Sequence, residues 1–416
     1  MPLPLAAVIR DLAASRLGLL GRAPGYRLLF LAALASGIGT WLAYVALVID
    51  VMDRTGDARW VSALLIVEFL PIVVVGLLAA PLVDRLPRRK ILVSSDLLRV
   101  AVFVALPFAN GALAIVLLAL VAGVATSLFR PASYAGLPNL VSDEDLPEAN
   151  GLLQAAENLT WALGAFLGGA LVAVSGPDLA YWVNALSFAA SAMLLLRIRG
   201  TLEAGKMVSE GHLRDLVTGL ALVVRSRPLL TVLVAWSVVM LANAGINVGE
   251  VFLAREVFNA GDFGYGFLVG MGALGLVGGS LASGGLIDRF GMRGPYGFAI
   301  ALMGAGLLAA AASPNVWVAS AFVIVAGLGN GAAVVFNAVL VQRGAPDRFR
   351  GRAFSVLMST GYGILGLGMI GAGPLINEIG PRAVWVAAAG LCAIGAGLGF
   401  LLLSGEPARA TAGAEP

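Results

Sequence analysis

Four carboxylates stand inside long apolar stretches of this sequence: Asp50, Glu68, Glu157 and Glu250. An ionisable group surrounded by hydrocarbon is costly, so its default reading is functional. Glu68 lies about 14 Å into its apolar run at 1.5 Å per residue, near the midplane. A carboxyl at that depth can load and release a proton as access alternates. It can equally bond to a neighbouring helix or recognise a substrate cation. Glu157 lies about 10 Å from the end of its run and is a second candidate for protonation or for substrate. Asp50 and Glu250, toward the outer ends of theirs, are outer-gate candidates. Asp96 and Arg99 are three apart and share a helical face. They read as a local ion pair near the cytoplasmic surface and, with Arg130, as charge partners for a gate. Trp41, Tyr44, Gln154, Trp161, Asn243, Asn247, Asn330 and Asn337 fall near mid-run. As a set they suit a cavity for amphipathic or cationic molecules; singly, each also fits helix–helix bonding or core packing.

Other chemistries are excluded. There is one cysteine, Cys392, and one histidine, His212. No intrachain disulfide, metal cluster or nucleophile–base set is expected, so the protein is not read as an enzyme. No Gly-x-x-x-x-Gly-Lys-Ser/Thr loop occurs, which argues against direct drive by ATP. No cofactor, metal or nucleic acid is expected. The expected partners are a small-molecule substrate, protons and membrane lipids, with the chain acting as a monomer.

The elements that must position these residues follow from composition. Of the 416 residues 59% are hydrophobic and 12% charged, against about 25% charged in soluble proteins. That is too little polar surface for a water-soluble globule. Apolar runs of about 20 residues predict membrane helices, here at 27–51, 59–82, 91–109, 112–136, 150–174, 180–199, 228–254, 263–286, 295–313, 315–341, 353–377 and 382–404. With both termini in the cytoplasm, 22 of the 27 basic residues fall in or beside cytoplasmic segments, as the positive-inside rule requires. Arg54, Arg59, Arg255 and Arg382 fall outside, and Arg99 lies within a span. Trp60, Trp182, Trp317 and Trp385 each start a span entering from the outer face. The resulting division is a cytoplasmic segment 1–26, a six-helix bundle 27–199, a cytoplasmic linker 200–227, a second bundle 228–404 and a tail 405–416. Val8, Ile9, Leu12, Leu19 and Leu20 give the first segment a rough helical stripe, fit for a surface helix or a disordered tail; Arg10, Asp11, Arg16 and Arg22 argue against a signal peptide.

The halves repeat. Asp84-Arg85 recurs 204 residues on as Asp288-Arg289, and Asp143 recurs at the same offset as Asp347. Parallel repeats of this kind occur in transporters, with the site at the repeat interface. The cytoplasmic stretch Ala80-Pro-Leu-Val-Asp84-Arg85-Leu-Pro87-Arg88-Arg89-Lys90 and its second copy Gly284-Gly-Leu-Ile-Asp288-Arg289-Phe-Gly291-Met-Arg293 resemble the signature of the major facilitator superfamily, Gly-x-x-x-Asp-Arg-x-Gly-Arg-Arg/Lys. Ala80 and Pro87 replace its glycines in the first copy. Gly164-Ala165-Phe-Leu-Gly168-Gly169 is similar to the helix-5 signature of antiporters, with Ala165 in place of proline. Phe129-Arg130-Pro131-Ala132, Leu146-Pro-Glu-Ala149-Asn150 and Arg350-Gly351-Arg352-Ala353-Phe354-Ser355 resemble the macrolide-efflux and enterobactin-exporter branch of bacterial drug/proton antiporters. The mid-helix arginine of other antiporter branches is absent from helix 4, where Arg130 near the cytoplasmic end is the available cation.

The resemblance implies twelve helices in two pseudo-twofold-related bundles and alternating access in the inner membrane. It implies export of a small amphipathic, drug-like, macrolide-like or siderophore-like compound by proton antiport. Asp84 would gate the cytoplasmic side, pairing with the start of helix 11, Arg99 or Arg130, while Arg88, Arg89 and Lys90 would bind acidic lipid or anchor the loop. An uptake symporter of the same fold and a transport-inactive membrane partner are the competing readings.

Overall fold

A computed structural model describes residues 18–78, 86–198, 212–346 and 349–403. Asp84 and Arg85, and the side chains of Asp288 and Arg293, lie outside the described residues, as do Asp347 and most of the first segment, linker and tail. Among the described residues the structure is helical: α1 (Pro24–Thr55), α2 (Ala58–Leu78), α3 (Arg88–Ala105), α4 (Ala112–Gly136), α5 (Leu146–Ser175) and α6 (Pro177–Leu196). A connecting helix (His212–Arg225) leads to α7 (Arg227–Val257), α8 (Gly261–Phe290), α9 (Arg293–Ala312), α10 (Val316–Gly344), α11 (Arg350–Ile379) and α12 (Pro381–Leu402). Eleven of these are long and apolar enough to cross a membrane; α2, with 21 residues, is the twelfth. The chain is a multi-pass membrane protein.

Packing repeats as the sequence does. In the first half α1 lies on α5 and α6, α2 on α4, and α3 on α4 and α6. In the second half α7 lies on α11 and α12, α8 on α10, and α9 on α10 and α12. Adding six to each helix number converts one set into the other. The turns agree. Gly176 (φ 73°, ψ 179°) and Gly380 (φ 83°, ψ 159°) close α5 and α11. Both sit in a backbone region essentially restricted to glycine, and each is followed by a proline at the first helical position, again 204 residues apart. The ends of the molecule are named here by the connecting helix: the linker end, and the far end carrying the α1–α2 turn.

The two bundles meet along α5–α8 and α2–α11. Both seams include close backbone approaches over glycine toward the far end, and Phe166 of α5 packs on Gly270 and Phe267 of α8 beside one of them. A Cβ on Gly169 would stand 2.8 Å from Gly266 Cα, and one on Gly266 would stand 2.5 Å from the Ala165 carbonyl. At the other seam a Cβ on Gly373 would stand 2.8 Å from the Ala58 carbonyl and 2.6 Å from Ser62 Oγ. Gly164 and Gly168 face elsewhere, packing on Trp41 and Leu42 of α1. The antiporter-like motif thus fastens α5 inside its own bundle with two glycines and to the other bundle with Gly169. Of the α11 glycines, Gly368 and Gly373 pack tightly, while Gly363, Gly366 and Gly371 have open space beside them.

Enlarging a seam residue should hold the far end apart. In a G266V variant, a cysteine placed at Ser62 should react with a membrane-impermeant thiol reagent about tenfold faster than in the parent, an equilibrium shift of about 1.4 kcal/mol. The native Cys392 is fully buried and contributes little background.

Candidate functional site

The α5 helix shows how the bundles separate. Glu157, Trp161, Ala165 and Gly169 lie four residues apart and form one stripe. Gly169 and Ala165 touch α8. One turn toward the linker end Trp161 is half-buried, and the next residue of the stripe, Glu157, has a side chain 30% exposed. Arg130 of α4, which reaches Glu157, is 61% exposed. The seam therefore opens into a vestibule toward the linker end. Aromatic rings line its inner part. Trp41 stacks on Trp161 at 4.8 Å and meets Tyr44 edge-on at 5.4 Å. Phe69 of α2 stacks on Tyr362 of α11 at 6.4 Å, across the bundles.

The Arg130–Glu157 pair is a fork, with Nε to Oε1 at 3.2 Å and the terminal nitrogen to Oε2 at 2.9 Å. Gln154 donates to Glu157 Oε2 at 3.3 Å and accepts from the Tyr134 hydroxyl at 3.4 Å. Deeper in, Tyr44 of α1 and Tyr265 of α8 meet across the bundle boundary. Glu68 of α2 and Glu250 of α7 lie close enough for their charge to act on both rings. Both residues are half-buried. One bundle supplies Tyr44 and Glu68; the other supplies Glu250 and Tyr265.

Several expected site residues serve the scaffold instead. Asp96 and Arg99 form a pair at 0% and 2% exposure, in the core rather than near a surface. The guanidinium lies between the rings of Phe129 (4.7 Å) and Phe188 (4.1 Å). A buried charge needs its partner, and the rings add cation–π attraction. Arg99 is held by Asp96 and Arg130 by Glu157, while Asp84, for which they were expected partners, lies outside the described residues. Asp50 binds within its own bundle, to Arg54 at 2.6 Å and to the Tyr181 hydroxyl at 2.9 Å. Asn337 is 6% exposed and accepts from Tyr296 at 2.9 Å, so it belongs to a bundle core rather than to the cavity. Asn243 donates to the Val239 carbonyl one turn back at 2.9 Å. Asn247 and Asn330 are half-buried on α7 and α10. At the linker end Arg88 donates to Asn139 at 2.8 Å and Arg89 to the Leu196 carbonyl, anchoring the start of α3; Lys90 is exposed. Arg289 lies over Phe290 at 5.3 Å.

The contacts that cross the bundles at the far end are made by residues the sequence did not single out as a site. Asn377 of α11 donates to Asp57 Oδ1 at 2.6 Å and accepts from the Ala58 backbone N–H at 3.1 Å, gripping the start of α2. Arg255, in a π-helical turn of α7, donates to Asp53 at 2.6 Å and lies 3.0 Å from Asp262 of α8. The available signal was charge: Arg255 is one of the four basic residues on the wrong side for the positive-inside rule. Arg54 and Arg382, two more of the four, are tied to Asp50 and to the Ser313 carbonyl.

Set against known proteins, residues 29–367 and 253–415 match the family described as Major Facilitator Superfamily. The chain is similar to the multidrug efflux pump Tap of Mycolicibacterium fortuitum, at 28% identity over 385 residues, 86% of this chain and 91% of that one. It is also similar to macrolide efflux protein A of Streptococcus pyogenes, at 23% identity over 250 residues, 56% of this chain and 62% of that one. Among solved structures, the nucleoside transporter NupG aligns with TM-score 0.69 at 17% identity, covering 92% of this chain and 99% of that one. A bacterial homologue of the iron transporter ferroportin, in an inward-facing state, aligns with TM-score 0.73 at 17% identity, covering 90% and 98%. These two structures speak to the fold alone.

Two outcomes follow from this geometry. D96N should lower the unfolding free energy by about 3–5 kcal/mol, read as a fall in thermal midpoint, and adding R99Q should recover part of it. The second concerns Asp57, outside the spans, whose carboxyl is held below the usual range by the Arg59 backbone N–H first and by Asn377 second. A depressed value means the contact favours the closed far end above about pH 4, the ordinary range of a carboxylate, and is lost as pH falls through the lowered value. Labelling of a cysteine at Ser62, normalised at each pH to that of a free thiol because the thiolate is the reactive form, should therefore rise at acid pH in the parent and rise less in N377A, which starts from a higher rate.

Proposed function

The chain belongs to the major facilitator superfamily, and from that premise we propose that it exports a small amphipathic organic compound across the plasma membrane by proton antiport. It is a transporter, not an enzyme. The observation that carries the reading is the vestibule: aromatic walls and one exposed charge pair, open at the linker end and shut at the far end. The Tap relatives, which match most of this chain, are drug efflux pumps, and that supports the outward direction. The charge asymmetry supports a linker end and both termini in the cytoplasm. On that reading the vestibule faces inward and loads from the cytoplasm.

In this scheme the compound enters beside Arg130 and Glu157 and lies against the Trp41–Trp161 stack. The bundles rock about the two glycine seams. The far end opens as Asp57–Asn377 and Asp53–Arg255 part. Glu68 carries the proton: it lies toward the bundle boundary, has no ion-pair partner among the described residues, and is reached from the far end once the seams separate. Glu250 faces the same tyrosines from the other bundle, so each carboxyl registers the approach of the opposite half. A ligand or proton drives the cycle only by its differential affinity for the two states. One chain supplies both seams and the vestibule, so a monomer suffices, and Lys90 stands free to meet acidic lipid.

The test is accumulation of a panel of amphipathic compounds in inverted membrane vesicles with an acidic interior. Gradient-dependent uptake that a protonophore collapses supports export by antiport. Concentrative uptake by intact cells, with none in the vesicles, would replace it with the symporter reading. E68Q should cut gradient-driven accumulation at least about tenfold while leaving compound binding intact; a variant with full accumulation would remove Glu68 from the scheme.

A further inference from the structure

Two of the arginine–carboxylate pairs of the first bundle are chemically alike and differently placed. Asp96–Arg99 is shut in the core. Glu157–Arg130 opens onto the vestibule, with 30% and 61% of the side chains exposed. An exposed pair of this kind contributes about 0–1 kcal/mol, so its members exchange partners readily. Glu157 sits one turn, about 6 Å along α5, from Trp161, on the same stripe. Trp161 is backed by Trp41, and Tyr362 of the opposite bundle lies close enough to act on Arg130. A carboxylate beside a stacked indole pair is the chemistry that recognises an organic cation with a flat apolar body.

We propose that Glu157 is the cation-selecting group of the vestibule, and that Arg130 is a tethered counter-ion which a cationic substrate displaces. The inference rests on the export reading and adds the charge class of the compound. In the empty site Arg130 neutralises Glu157 and Gln154 holds the carboxylate in position. An arriving organic cation takes the fork's place, its body against Trp161. Arg130, already largely solvated, swings into the open vestibule. The exchange leaves the carboxylate paired throughout. It also makes Arg130 a competitor, whose loss should favour cations.

The test uses purified full-length protein and three probes of similar shape: tetraphenylphosphonium, the isosteric anion tetraphenylborate, and neutral triphenylphosphine oxide. Dissociation constants are measured by equilibrium binding. The parent should prefer the phosphonium. E157Q should weaken phosphonium binding by about tenfold, leave the neutral probe within about twofold, and improve binding of the borate to the freed Arg130. R130Q should tighten phosphonium binding several-fold, and E157D should restore part of the preference lost in E157Q. Equal losses for all three probes in both variants would mean the pair is only structural and overturn the assignment. So would unchanged phosphonium affinity in E157Q, or a parent that binds the neutral probe but not the cation. A parent that binds none of the probes overturns this inference, whereas the export reading stands or falls on the vesicle assay.

Discussion

An ion inside a bilayer has no water to turn to, and the arrangement of this protein follows from how each intramembrane charge is answered. Asp96 has Arg99, Asp50 has Arg54 and Tyr181, and Glu157 has Arg130. These pairs sit at three levels of exposure and do three different things. The closed pair braces α3 against α4 and α6. The far-end pair ties α1 to α6. The vestibule pair stays exchangeable. Among the described residues Glu68 and Glu250 have no ion-pair partner, and a carboxyl in that position is the kind that burial favours in its neutral, protonated form.

The bundles themselves are held by little. At both seams the backbones approach over glycine, with rings packed beside the close approach: Phe166 against Gly270 and Phe267, and Phe69 against Tyr362. Contacts of this kind are held by van der Waals attraction. Directional contacts are confined to the far rim, where Asn377 and Arg255 reach across. The architecture therefore separates what permits motion from what chooses the state.

Much of this was legible beforehand, and the reasons differ by residue. The spans were readable because hydrocarbon thickness imposes a length, and the repeat because Asp84 and Asp143 recur at one offset. The Asp96–Arg99 pair was readable because a spacing of three on a helix leaves no other geometry, though its depth was not: the rings of Phe129 and Phe188 that bury it come from α4 and α6. Glu157–Arg130 was missed as a pair because it joins two helices, and helical spacing says nothing between elements. Asn337 was misplaced for a related reason: an amide near mid-span looks the same whether it faces a cavity or, as here, Tyr296. The rim contacts fall on short turns, where no periodicity exists. The arginines that broke the charge rule pointed there.

The two rim contacts are made of different material. One is an ion pair, Arg255 with Asp53; the other is an amide grip on a helix start, Asn377 with Asp57 and Ala58. Dissolved electrolyte screens the first and scarcely touches the second. High salt therefore loosens the rim unevenly: it peels from the Arg255 side while the Asn377 side still holds.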